Sequence, residues 1–244
     1  NAVYIDHSGS DLAVANAARV SFSKESDWEY TNEWVDTAYG PAIDQRRRLK
    51  DGDARLIRYL AEHKHWTPFG HTSITLRERV PIFVARQGFK HVVGFVYNEV
   101  SRRYVDDTPE FYIPEVWRAR AENKKQGSSD EPLDQVLYQR MHGDRTITEA
   151  VERLNEHALT LYKDMLDHGV APEQARMVLP QSMYTEYYVT GSLAAFARAY
   201  NLRSAPDAQV EIQELAAWWD KILSPLFPVS WAALTARKDK DSDE

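Results

Sequence analysis

The stretch ARQGFKHVVGFVYNEVSRRY, Ala85 to Tyr104, places Gln87, Lys90, His91, Glu99, Ser101 and Arg103 in one short span. Pro81, just upstream, suits the first turn of a helix running through about His91, in which Phe83, Gln87 and His91 recur at a spacing of four, as do Arg86 and Lys90. Gln87, Lys90 and His91 then project toward neighbouring parts of one surface. After a short turn, Asn98, Glu99, Ser101 and Arg103 supply an amide, a carboxylate, a hydroxyl and a guanidinium, the groups that fix a phosphate and the edge of a base. The same residues also suit a solvated, salt-bridged helix end, because surface ion pairs are common and mostly carry no function.

Outward from this stretch the pattern is mixed. Residues Thr72 to Val80 alternate, with Ile74, Leu76 and Val80 on one side and Thr75, Arg77 and Arg79 on the other, which predicts a half-buried strand. Tyr184 to Thr190, rich in Tyr and Thr, predicts a second. Ile212, Leu215, Ala216, Trp219, Ile222 and Leu223 have helical spacing, and Gln135 to His168 holds one long helix or two. Asp11 reads as the N-cap of an alanine-rich helix, and Asp53 as the cap of a helix carrying Leu56, Ile57, Leu60 and Ala61. The expected class is α+β, with helices packed on a sheet.

At 244 residues and 43% hydrophobic content the chain can bury a core as one domain, expected over 1–237. Insert-like loops are expected near 23–51 and 118–134, the second centred on Gly127-Ser128-Ser129 and mobile, and a disordered charged tail over 238–244. The net charge of −7 argues against a general nucleic-acid binder. No apolar run reaches the roughly 20 residues that span a bilayer, and the start lacks a signal-peptide pattern, so a soluble cytoplasmic protein is expected. Glu62, His63, His65 and His71 offer oxygen and nitrogen donors for a metal, but their spacing fits no strong metal signature, and exposed structural histidines are the commoner explanation.

The pattern resembles the flavin-dependent thymidylate synthases, whose signature is an Arg-His-Arg triplet followed by Asn-Glu and Ser-x-Arg-Tyr. Here it reads Lys90-His91-Val92, Asn98-Glu99 and Ser101-Arg102-Arg103-Tyr104, with one extra residue before Asn98. Four further blocks follow the family's order: Asp11 to Phe22 (DLAVANAARVSF), His65 to His71 (HWTPFGH, with Gly70 where Glu is usual), Arg176 to Thr185 (RMVLPQSMYT), and Leu202-Arg203 before Ala208-Gln209 and Glu211-Ile212.

The resemblance implies a central, mainly antiparallel sheet flanked by helices, and a homotetramer with sites between subunits. It implies that Gln87, Lys90, Glu99, Ser101, Arg102, Arg103, Arg176 and Arg203 hold dUMP, with Arg203 also the catalytic group that activates the pyrimidine. It implies FAD near Ser21, His65, Thr67, Lys90, His91, Val92, Glu99, Ser192 and Arg198. Lys90 keeps a point charge without an arginine fork, and Val92 loses the charge, which Arg198 is expected to restore. The implied reaction is reductive methylation of dUMP to dTMP, with methylenetetrahydrofolate as carbon donor and FAD reduced by NADPH. The absence of cysteine fits, because the better-known route needs a thiolate that adds to the ring. A nucleotide-binding or regulatory protein on the same scaffold, without flavin turnover, is the alternative reading. A metal-dependent phosphate hydrolase built on the histidine cluster conflicts with the block order.

Overall fold

The alternation over residues 72–80 becomes the strand on which the fold is built. The computed structural model describes residues 1–38, 40–104, 107–122, 127–133, 137–138 and 145–236. The chain begins β1 (Ala2–Ser8), α1 (Asp11–Arg19), β2 (Glu29–Thr37), β3 (Gly40–Arg48), α2 (Asp51–Glu62), β4 (Ser73–Pro81), α3 (Ile82–Gly88) and β5 (Phe95–Glu99). It continues through β6 (Arg118–Arg120), β7 (Ser128–Pro132), β8 (Leu137–Tyr138), β9 (Arg145–Thr146), α4 (Ile147–Asp167) and α5 (Pro172–Ala175). It closes with β10 (Tyr184–Gly191), α6 (Leu193–Arg203), α7 (Val210–Leu226) and α8 (Pro228–Thr235).

The central sheet is antiparallel, in the order β1-β4-β10-β5, with Tyr187 of β10 opposite both Glu78 and Glu99. Ile74, Leu76 and Val80 are buried as their alternation requires, and Glu78 shares that face. Burial raises the Glu78 carboxyl pKa, while Trp219 Nε1 donates to it at 2.6 Å. One apolar cluster joins the inner sheet face to α1, α2, α3, α6, α7 and α8, with Phe69, Phe196, Phe227 and Trp231 at its centre.

Several local expectations need correction. Pro81 is the N-cap of α3 rather than part of its first turn, and the helix stops at Gly88 instead of His91. Gly88 weakens the helix, and the Tyr97 hydroxyl holds the exit turn, its one proton shared between the carbonyls of Gly88 (3.2 Å) and His91 (3.1 Å). Ser10, not Asp11, caps α1. Asp11 is buried and accepts from the backbone N–H groups of Val229 (2.8 Å) and Ser230 (2.9 Å), serving α8, whose own N-cap Phe227 has no acceptor. Asp53 does not cap α2, which follows Lys50; it is fully buried and receives Arg19 Nε at 2.7 Å and Ser26 Oγ at 2.6 Å.

Both expected insert loops contain hairpins. β2 and β3 pair in register with Trp34 opposite Ile43, and Tyr30, Trp34 and Ile43 stay exposed on one face. The other face carries Arg48–Glu29 and Arg46–Asp44 ion pairs, each 2.7 Å. β6 pairs with β7. In the region 135–168, α4 is one long helix begun by a Thr146–Glu149 capping box. The tail expected over 238–244 lies outside the described residues.

Candidate active site

The site residues fall into three groups held by different elements. The first surrounds a cavity of about 670 Å³ between β4, α3, the end of β5, β10 and the turn after α5. Arg79, Arg86, Arg102 and Arg176 line it together with Glu99 and Met177. Arg102 is held by Asp107, Nη1 donating to Oδ1 at 2.8 Å and to the backbone carbonyl at 2.6 Å. Arg79 pairs with Glu110 at 2.9 Å and its guanidinium lies 4.4 Å from the Tyr184 ring centroid. Glu99 accepts from Thr185 Oγ1 at 2.6 Å. Among the described residues Arg86 has no side-chain partner, and Arg176 reaches only the Glu173 carbonyl, at 3.4 Å. Four guanidinium groups share this wall with four carboxylates, Glu99, Asp107, Glu110 and Glu186, and among the described residues Arg86 and Arg176 have no carboxylate partner, which makes them the cations there for a phosphate.

The second group joins the end of α6 to the exit of α3. Arg203 Nε donates to His91 Nε2 at 2.9 Å, and Arg203 Nη2 to the Gln87 carbonyl at 3.1 Å. Gln87 Nε2 in turn donates to Gln209 Oε1 at 2.8 Å. His91 is buried, and an arginine donating to Nε2 requires the neutral ring with its proton on Nδ1. Burial first, then the charges of Arg203 and Arg198, holds its pKa below the ordinary value.

The third group borders a larger, mostly apolar cavity of about 1160 Å³ between the end of α2, the turn Thr67–His71, α6 and α8. His65, Trp66, Arg198 and Arg58 stand on its wall. Arg198 Nη2 donates to the backbone carbonyl of Val93, the residue after the exposed Val92. Ser192 caps α6 by accepting from the Ala195 N–H at 3.2 Å. Gly94 has φ +81°, and a Cβ there would stand 3.0 Å from that of Ala195, so only glycine lets the loop after His91 approach α6 this closely. Ser21, Thr67 and Lys90 are exposed.

The structure thus brings Glu99, Arg102 and Arg176 together, and separately Gln87, His91 and Arg203. It does not bring Ser101 or Arg103 onto either cavity wall; Arg103 Nε meets Ser101 Oγ at 3.4 Å and its guanidinium lies over Tyr104. Arg79 and Arg86 are cavity residues that sequence reasoning did not assign, although Arg79 stands on the outward face of the predicted alternation. His63 Nδ1 lies 2.9 Å from the Tyr59 carbonyl, with its ring stacked on Tyr59, and no group of His, Asp or Glu among the described residues is arranged to hold a metal.

The family model described as thymidylate synthase complementing protein matches residues 4–229. The chain belongs to the flavin-dependent thymidylate synthase family. It is 35% identical over 229 residues to the flavin-dependent thymidylate synthase of Thermus thermophilus, covering 94% of this chain and 73% of that protein. To that of Thermosipho africanus it is 37% identical over 215 residues, covering 87% and 80%. Among solved structures, a UMP/dUMP methylase, PolB, from Streptomyces cacaoi bound with 5-Br dUMP superposes with a TM-score of 0.73 at 29% identity, over 97% of this chain and 94% of that one. The sheet flanked by helices is therefore the fold of this flavin-dependent family.

Proposed function

We propose that this chain reductively methylates dUMP to dTMP, with methylenetetrahydrofolate as carbon donor, and that it works as a homotetramer whose sites are shared between subunits. The observation that carries this reading is the arginine-lined cavity beside Glu99. Arg102 and Arg176 bind the phosphate of dUMP there with charge-assisted hydrogen bonds, Arg86 adds a further charge, and Glu99 receives donors of the nucleoside. Ser101, Arg103, Lys90 and Gln87 complete the nucleotide site from neighbouring positions. Arg203 stabilises negative charge developing on the uracil amide. Because Arg203 and Gln87 stand outside the arginine cavity of their own protomer, sharing between subunits supplies one protomer's cavity with another's Arg203.

The donor set around the second cavity fits FAD. Cationic Arg58 and Arg198 flank an apolar wall with Trp66, which suits a pyrophosphate beside a flat ring system. His65 on this wall would hold it with Arg198; Ser21, Thr67, Lys90, His91, Val92, Glu99 and Ser192 lie off the wall and join the flavin site only through the family resemblance and the sharing of sites between subunits. Bound FAD, reduced by NADPH, supplies the hydride that completes the methyl group. The chain's own contribution is to align uracil C5 with the carbon donor and to exclude water.

Purified protein loaded with FAD and freed of excess ligand should retain a flavin spectrum that bleaches under anaerobic NADPH with dUMP, and should form dTMP once methylenetetrahydrofolate is added. Retained flavin that stays oxidised and yields no dTMP would reject the reaction and leave a nucleotide-binding protein. Light scattering on the same sample tests the tetramer.

A further inference from the structure

The β6–β7 hairpin, a polar excursion in the sequence, meets the start of α7 through Glu211, and the start of α7 meets the end of α6 through Gln209, two residues before Glu211 in the chain. Arg118 on β6 sends Nε to Ser128 Oγ of β7 at 2.9 Å and Nη2 to Glu211 Oε1 at 2.6 Å. Glu211 lies in the first turn of α7 and its side chain is only 6% exposed, so the carboxylate is confined between the hairpin and the helix. Tyr112 donates to the same oxygen at 3.3 Å. Burial alone would raise the Glu211 pKa, but Arg118, a backbone N–H and the Gln209 side chain hold it below the ordinary range. Gln209 is the N-cap of α7 and its side chain accepts from the Gln87 side-chain amide, while the Gln87 backbone carbonyl, at the end of α3, accepts from Arg203. A second contact closes the arrangement: Gly127, at φ +87°, lies against the backbone of Asp207 in the turn that follows Arg203.

We propose that Arg118 is a positioning residue for Arg203: by gripping Glu211 it docks the hairpin on the start of α7 and fixes, through Gln209 and Gln87, where the Arg203 guanidinium points. This rests on the reading of Arg203 as the group that activates the pyrimidine. Arg118 touches neither cavity, so it acts on the nucleotide only through Gln87 and Arg203.

The test uses the FAD-loaded full chain. Arg118→Met strands the Glu211 carboxylate and risks misfolding, so Arg118→Met/Glu211→Gln, which removes both charges, is measured beside it. Either folded variant should lose about 10- to 100-fold in kcat, the scale of a small misplacement of a reacting group, and should raise KM for dUMP as well, because Gln87 and Arg203 also hold the nucleotide. Amide exchange over residues 203–209 should quicken about tenfold while β4 stays protected, a readout that needs no turnover. Introduced into Arg203→Lys, the same change should cost less than about twofold, because the two effects share one path. An equal loss in both backgrounds, or unchanged kcat and exchange in the folded double variant, would overturn the proposal. Full turnover by Arg203→Lys alone would remove the role of Arg203, and this inference with it, even where dTMP formation by the unaltered chain upholds the reaction itself.

Discussion

At the scale of single residues, the contact between Arg203 and His91 sets a pH dependence. An unfolded histidine titrates near about 6.5, and the folded value here is lower, so between the two the unfolded chain binds more protons. The stability from neutral His91 is fully present above about pH 6.5 and is lost as pH falls through the folded value. Turnover should fall along the same acid limb, because protonated His91 cannot accept from Arg203. The profile of kcat/KM for dUMP checks this, and His91→Gln, which keeps an acceptor, should flatten the limb. Arg198 carries a second expectation. If Arg198 restores the charge that Val92 lacks, Arg198→Ala should weaken FAD binding about tenfold, the scale of one charge-assisted hydrogen bond. Unchanged affinity in a flavin titration would reject the compensation. His91 and Arg203 are singled out in the sequence by the order of the family blocks. Their contacts were not legible: Arg203 and His91 stand 112 positions apart, and nothing in either local pattern states that they meet. Arg86 was passed over for a related reason, since an arginine on a helix face looks the same in sequence whether it faces solvent or a cavity.

At the scale of elements, legibility followed burial. β4, β10 and α7 each bury one face, and burial writes a period into the sequence. The β2–β3 hairpin leaves its apolar face exposed and carries ion pairs on the other, so neither face imposes a clean alternation, and the region read as an excursion. Helix starts failed differently. Asp11 and Asp53 sit where caps belong, yet each answers donors far along the chain, and an acidic residue at a helix start gives the same local pattern in both roles. Asp53 gives the sharper expectation. Asp53→Ala removes the buried partner of Arg19 and Ser26 and should cost about 3 kcal/mol, somewhat less than a fully buried pair because Arg19 remains partly exposed. Urea denaturation followed by circular dichroism measures it, and a loss below about 1 kcal/mol would mean the pair is held for something other than stability.

At the scale of the whole molecule, one apolar cluster runs from Ala2 on β1 to Trp231 on α8, so the ends of the chain share a core with its middle. Calorimetry should accordingly show one cooperative transition, and two separated transitions would contradict the expectation of a single domain over 1–237. No helix among the described residues is long and apolar enough to cross a membrane. The lack of cysteine suggests a protein indifferent to oxidants, but the cavity wall says otherwise. Met177, beside Arg176, is 77% exposed, and peroxide would turn its thioether into a polar, chiral sulfoxide on the wall of the cavity proposed to hold dUMP. A preparation aged in air should therefore lose affinity for dUMP without losing its fold, and methionine sulfoxide reductase, rather than a thiol, should be what restores it.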